Sequence, residues 1–284
     1  MSVSSEIFLD WLYTVWAKLY WPVALSKFIF WIISIFIQNS SLVDTAYVFN
    51  HFLVGTILFG RATDDHFSVK SLILWLCLFA WFLRLGGFLF TARILAKKQD
   101  PRYEKLAARH TRKNLYFFYT YQMQGLVVMF TSSNLYFVFR RPEYLNGATF
   151  TIGLIFIIGG IIGEAISDQQ LENYKKKGIR GQTFQSGLWK YSRHPNLFFE
   201  LCVWFGFGVT GINDQPIELL GLLAPLLLWA IMNYLTIPIT EASMKESRPN
   251  FQEFIDRTNK FIPLPLGISK REKLVTKENP EVYS

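Results

Sequence analysis

At 284 residues the chain is 51% apolar and 17% aromatic, and its 18% of charged residues falls short of the roughly one quarter usual in soluble domains. The formal net charge is +8, but the cations alternate with apolar runs and form no patch beside a nucleic-acid motif, so no nucleic-acid partner is expected and the class is a polytopic membrane protein. Cys77 and Cys202 both lie inside apolar runs and His51, His66, His110 and His194 are widely scattered, which excludes a disulfide framework and a metal site.

Residues 1–22 read as an N-terminal interfacial segment. Ile7, Leu9, Trp11, Leu12, Val15, Trp16 and Leu19 are broken by Glu6, Asp10 and Lys18, a pattern that suits a helix lying at the membrane surface. No basic region followed by a small-residue cleavage site appears, so a removable signal is not expected. Apolar runs then follow at 23–38, 44–59, 69–90, 114–139, 148–166, 197–212 and 217–240, each near the length a bilayer needs. The expected fold is therefore all-α: a transmembrane helix bundle of about seven spans over 23–266, with a short C-terminal surface helix near Asn250–Thr258 and a polar tail over 267–284.

Charge distribution supports that span count. Of 29 lysines and arginines, eight lie in 93–113, six in 175–193 and eight in 241–284. Seven spans place all three segments on one face, the cytosolic face of the endoplasmic reticulum or the matrix face of the mitochondrial inner membrane, with the N-terminus opposite. Within the spans, Gly159 and Gly163 form a small-xxx-small pair, and Pro225 and Pro238 permit kinks.

Polar clusters reach the membrane on the basic side. Asp168 and Lys175 are seven residues apart, two helical turns, and so share a face; Lys176, Lys177, Gly178, Ile179, Arg180 and Gly181 follow. They read either as a nucleotide seat or as lysines snorkelling to lipid phosphates. The stretch from Gly187 to Glu200 sets Arg193, His194, Pro195, Asn196 and Glu200 at the mouth of an apolar run. Asn196 is the expected N-cap there, and an arginine beside a helix start suits a phosphate. Glu241, with Lys245, Glu246, Arg248 and Pro249, marks the exit of the last span. Arg84 and Asp44 are the remaining intramembrane charges, a functional cue unless they neutralise each other.

The run Gly-Leu-Trp-Lys-Tyr-Ser-Arg-His-Pro-Asn from Gly187 to Asn196, with Glu200, Trp204 and Gly206, resembles the signature of the steroid 5-alpha-reductase-like membrane proteins, and more narrowly a branch catalogued as a domain of unknown function. Supporting matches are Ser41 to Asp44, Arg84-Leu85, Asp100-x-Arg102-Tyr103, and Thr240-Glu241 through Arg248-Pro249 to Phe261-Ile262-Pro263. The resemblance implies a helical core shared with sterol reductases and isoprenylcysteine methyltransferases, with a cofactor cavity and a lipid cavity meeting near the middle. NADPH is the implied cofactor. Asp168, Lys175, Arg193, His194, Asn196, Glu200 and Glu241 are the implied cofactor-binding residues, with Arg93 beside them. Asp44, Tyr47 and Arg84 are the implied catalytic set, with Tyr119 as the alternative to Tyr47.

Departures from the pattern keep other readings open. Leu197 and Phe199 stand where the family has a tyrosine and a glycine, and Trp81 lies where an acid phenol is expected. The first reading is an NADPH-dependent reductase of a carbon–carbon double bond in a hydrophobic lipid or sterol-like substrate. A second is an inactive relative serving as an accessory subunit beside other membrane proteins. A third is methyl transfer from S-adenosylmethionine, against which stands Ala242, since a second carboxylate is usual after the one at Glu241.

Overall fold

The computed structural model describes residues 3–65, 67–96, 99–141, 143, 145–178 and 181–264. The expected tail at 267–284 and Ile179 and Arg180 of the basic cluster lie outside them. Among the described residues the secondary structure is helical, with no strand beyond an isolated parallel bridge between Ser192 and Asn259. In chain order the helices are α1 (Val3–Phe36), α2 (Leu42–Asp65), α3 (Val69–Leu95), α4 (Pro101–Arg109), α5 (Lys113–Thr131), α6 (Asn134–Arg140), α7 (Gly147–Lys176), α8 (Pro195–Thr210), α9 (Pro216–Ser247) and α10 (Phe251–Arg257).

Five of these, α1, α2, α3, α7 and α9, are long and apolar enough to cross a membrane. Helices also occupy the other two expected spans, but α5 is interrupted by tyrosines and glutamines and α8 has only 16 residues. Large apolar side chains such as Trp21, Leu25, Phe36, Ile155, Ile162, Leu226 and Leu235 face outward, as expected where the surroundings are hydrocarbon rather than water.

Local chemistry sets the helix ends. Asp100 caps α4 by accepting from the Arg102 amide, with Pro101 in the first turn, where its missing N–H costs nothing. Asn146 Oδ1 accepts from the Ala148 and Thr149 amides ahead of α7. Glu218 Oε2 turns back to the Asn213 and Gln215 amides at the start of α9, so a carboxylate satisfies donors that the helix leaves open. Residues 13–18, 82–86, 90–95 and 232–236 are wound as π-helix, a distortion frequent at functional sites. Two of these turns carry Arg84 and Arg93.

The chain divides into two compact units. Unit 1 comprises Met1–Ile158 and Trp204–Leu227. Residues 3–18, read above as interfacial, continue into the first span as one helix and pack through Ile7, Val15 and the Trp11 ring, which stacks on Phe137. Helix α6 is buried from Asn134 to Phe139. Trp81 and Trp204 meet edge to face at 5.2 Å in the same interior, a favoured aromatic geometry. A Cβ at Gly153 would lie 2.6 Å from the Gly206 carbonyl, so two backbones touch there.

Unit 2 comprises Gly159–Val203 and Leu228–Ser284. Its close approach uses Gly160 and Gly163: a Cβ at Gly160 would stand 2.7 Å from the Phe199 carbonyl, and one at Gly163 2.3 Å from Phe199 Cδ1. Gly159 has nothing within 4 Å. The small-residue contact therefore runs through Gly160 and Gly163, because these, not Gly159, share the face of α7 turned toward α8.

Candidate functional site

Unit 2 holds the glycine-to-glutamate stretch. Gly187 has φ +62, and a Cβ on it would stand 2.5 Å from Gln170 Oε1. That position needs glycine for both conformation and space. The turn docks onto α7 from there: Leu188 N–H donates to Gln170 Oε1 at 3.0 Å, and Trp189 Nε1 donates to the Ser167 carbonyl at 2.9 Å.

The following Ser-Arg-His triplet is spent on the C-terminal segment of the same unit. Ser192 Oγ donates to the Phe261 carbonyl at 2.6 Å and accepts from the His194 amide at 3.1 Å. Arg193 N–H donates to the Asn259 carbonyl at 2.9 Å. Its guanidinium donates from Nε to Glu241 Oε1 at 2.8 Å, and to the carbonyls of Ile255 and Thr258 at 3.1 and 2.7 Å. His194 Nε2 lies 3.0 Å from the same Glu241 oxygen. A carboxylate only accepts, so Nε2 carries the proton. Burial holds the His194 ring below the ordinary imidazole range, against the opposing pull of Glu241.

Asn196 does not cap its helix. Pro195 begins α8, taking the first helical position where its fixed φ fits. Asn196 falls inside the first turn, and its Nδ2 donates to Asp168 Oδ1 at 3.2 Å. Glu164 and Glu200, one turn along each helix, are buried as well. Lys175, Lys176 and Lys177 are exposed, with Lys175 3.8 Å from Glu172, and Gly178 and Gly181 follow at φ +69 and +73. Of the residues expected to hold a cofactor, Asp168 thus meets Asn196, and Arg193 meets His194 and Glu241. Lys175 stands apart at the surface.

Unit 1 holds the residues expected to be catalytic. The Asp44 carboxylate accepts from Tyr103 Oη at 2.7 Å and pairs with Arg93, while Arg102 stands 3.6 Å away. Arg102 also clasps Asp100 from Nε and a terminal nitrogen, at 3.0 and 2.8 Å. Ser41 Oγ accepts from the Asp100 amide at 2.7 Å, and Asn39 Nδ2 donates to the Arg93 carbonyl at 3.0 Å. Ser41, Asp44, Arg93, Asp100, Arg102 and Tyr103 are therefore one knot. Burial pushes the Asp100 carboxyl up, but its hydrogen bonds with Arg102 and the charges of Arg102 and Arg93 outweigh this and hold it below the ordinary range. Burial, and then the Asp44 charge, push the Tyr103 phenol well above its ordinary value.

The Tyr47 ring lies 4.3 Å from that of His51, which is fully buried between Tyr47, Trp81 and Trp204. Its Nδ1 meets the Tyr47 carbonyl at 2.9 Å and its Nε2 meets Thr131 Oγ1 at 2.7 Å. Arg84 sits in a π-helical turn of α3.

Sequence reasoning overlooked Lys27. It is fully buried in α1, and its Nζ donates to Gln124 Oε1 of α5 at 2.6 Å. A lone lysine inside the apolar run at 23–38 was the available signal, so Asp44 and Arg84 are not the only charges left within the spans. The carbonyl acceptors around Arg193 carry no side-chain signal and were not legible at all.

Compared with known proteins, the chain matches a family model described as a protein of unknown function (DUF1295) over residues 30–258. No curated protein and no solved structure matches it.

Proposed function

The chain belongs to the family described as a protein of unknown function, DUF1295, and from that position we propose that it is a membrane-embedded reductase using NADPH to saturate a carbon–carbon double bond of a lipid or sterol-like substrate. The observation that carries the reading is the Asn196–Asp168 hydrogen bond, which sets an amide and a carboxylate of two helices side by side, two helical turns before an exposed lysine run.

The donor chemistry of unit 2 fits a polyanionic dinucleotide. Lys175, Lys176 and Lys177 are exposed and end at two left-handed glycines, where backbone N–H groups come close to an anion unhindered by side chains. Asp168 and Asn196 offer an acceptor and an amide to hydroxyl and carboxamide groups. Arg193 and His194, committed to Glu241 and to backbone carbonyls, hold the start of α8 in place rather than meeting a phosphate. NADPH, when bound, supplies a hydride. Asp44, gripped by Arg93, Arg102 and Tyr103, anchors the polar knot of unit 1.

Seven crossings, with α5–α6 and α8 added to the five long helices, keep all three basic segments on one face. Five crossings alone would put 175–193 opposite 93–113. The rule that cations stay inside therefore favours seven, with the basic face toward the cytosol or the mitochondrial matrix.

The test is a nucleotide titration of monodisperse full-length protein, followed by calorimetry. Saturable binding of NADPH that is lost in Asn196→Leu supports the reading, and absence of binding to the folded protein overturns it. A second reading, an inactive accessory subunit, draws on Trp81, which is fully buried against His51 and Trp204 where the family pattern expects an acid phenol. Stable co-purification with other membrane proteins, without nucleotide binding, would favour it. Methyl transfer is disfavoured because Glu241 is engaged by Arg193 and His194 and the residue directly after it is Ala242.

A further inference from the structure

Helices α1 and α5 are among the most closely packed pairs in unit 1, and their shared seam is polar where a membrane bundle would ordinarily be apolar. On α1 the seam runs through Lys27, Trp31 and Ser34, with Gln38 in the turn beyond its end, and on α5 through Gln124, Tyr121, Phe117 and Asn114. Both sets follow the spacing of a single helix face. At one end a small cleft of about 60 Å³ opens, lined by Ser34, Gln38, Ser40, Gln99, Lys113 and Asn114 over Trp31 and Phe117. One turn deeper the buried Tyr121 hydroxyl faces Ser34, whose own hydroxyl donates to the Trp31 carbonyl. Deeper again, the fully buried Lys27 donates to Gln124 at 2.6 Å. Its stem passes beside Gly125, where a Cβ would stand 3.4 Å from Lys27 Cγ. From Lys27 to the end of α1 is about 14 Å at 1.5 Å per residue, so the lysine lies well inside the span.

A charge at that depth is costly unless it is used. The Asp44 carboxylate of the same unit is already held by Arg93 and Arg102. Saturating a double bond takes up a hydride at one carbon and a proton at the other, with the π electrons forming the second C–H bond. The hydride comes with the dinucleotide, and the proton has to reach a buried site through the protein.

We propose that the α1–α5 seam is a water-accessible proton entry, opening at the Gln38–Lys113 cleft, passing Ser34 and Tyr121, and ending on Lys27. The purpose of the route rests on the reductase reading; its existence does not, and the test needs neither nucleotide nor substrate.

The experiment is cysteine accessibility in the full chain, with Cys77 and Cys202 changed to alanine and the protein in lipid nanodiscs. Single cysteines are placed at Gln124 and Tyr121 in the seam, and at Ile33 and Met123, which face outward. The probe is a charged, membrane-impermeant methanethiosulfonate, which reacts with thiolate and therefore with hydrated sites. Expected is labelling of Gln124→Cys and Tyr121→Cys at least about tenfold faster than of Ile33→Cys and Met123→Cys, with the advantage lost when Ser34→Leu is added. Two seam positions guard against one variant failing to fold. Seam cysteines that label no faster than the outward ones, in protein that remains monodisperse, overturn the proposal, whether or not the chain binds NADPH.

Discussion

Asn196 Nδ2 donates to Asp168 Oδ1 at 3.2 Å, joining the first turn of α8 to the last third of α7 within unit 2. The bond exists because Pro195 takes the first helical position and leaves the asparagine free of capping. Removing either partner strips a group that a nucleotide would meet and also leaves the other polar side chain without its mate. Asn196→Leu and Asp168→Leu are each expected to weaken NADPH binding at least about tenfold, near 1.4 kcal/mol. Calorimetric titration checks this, and unaltered affinity in both variants would remove the pair from the site.

Arg193, Glu241 and the carbonyls of Ile255 and Thr258 make a buried clasp on the C-terminal segment. Arg193→Met leaves the carboxylate and both carbonyls without their donor and is expected to destabilise by roughly 3–5 kcal/mol. Arg193→Lys restores the charge but not the fork geometry and should recover only part. Thermal unfolding in detergent measures both, and limited proteolysis should show residues 250–264 cut first. Stability within experimental error of the parent would mean that the clasp is incidental.

Fold class was legible because long apolar runs leave a bilayer-spanning helix few alternatives. The resemblance named Asp168 and Asn196, and the spacing put Asp168 with Lys175 on one face, but neither could pair Asp168 with Asn196, since that depends on which residue Pro195 places first in the helix. The partners of Arg193 were hidden for a different reason: two are backbone carbonyls of Ile255 and Thr258, which any sequence would supply. Gly159 was misread because a four-residue glycine spacing fits either of two neighbouring faces, and Phe199 decides which one is used. Lys27 was visible as a lone charge in an apolar run, whereas its partner Gln124 sits nearly a hundred residues away.

His194 gives a pH dependence of known sign. Its folded ring titrates below the ordinary imidazole value because it is buried, so in acid the unfolded chain binds the proton more readily. The stabilisation is fully present above the unfolded value of about 6.5 and is lost as pH falls through the folded value. Melting temperature should therefore decline below pH 6.5 in the parent and decline less steeply over that window in His194→Gln. Identical slopes would show that His194 is not the group responsible.

Phe199 is, with Leu197, a departure that argues against retained function, because the family pattern has glycine there. In the structure the ring lies against Gly163, where an added Cβ would stand 2.3 Å from Cδ1 and 2.4 Å from Cε1, so the bulk is absorbed by a notch in α7. Gly163→Ala should consequently destabilise by about 1–3 kcal/mol through overpacking. Phe199→Ala leaves a gap beside a glycine and should destabilise as well. Combined, the two changes fill each other's fault, and the double variant should be more stable than the sum of the single effects predicts, with a coupling of about 0.5–3 kcal/mol. The same pair separates the functional readings. If the ring is parked in the notch, Phe199→Ala leaves NADPH affinity unchanged in protein that remains folded. If the ring instead blocks the nucleotide, affinity rises in that variant and the parent chain is the inactive relative.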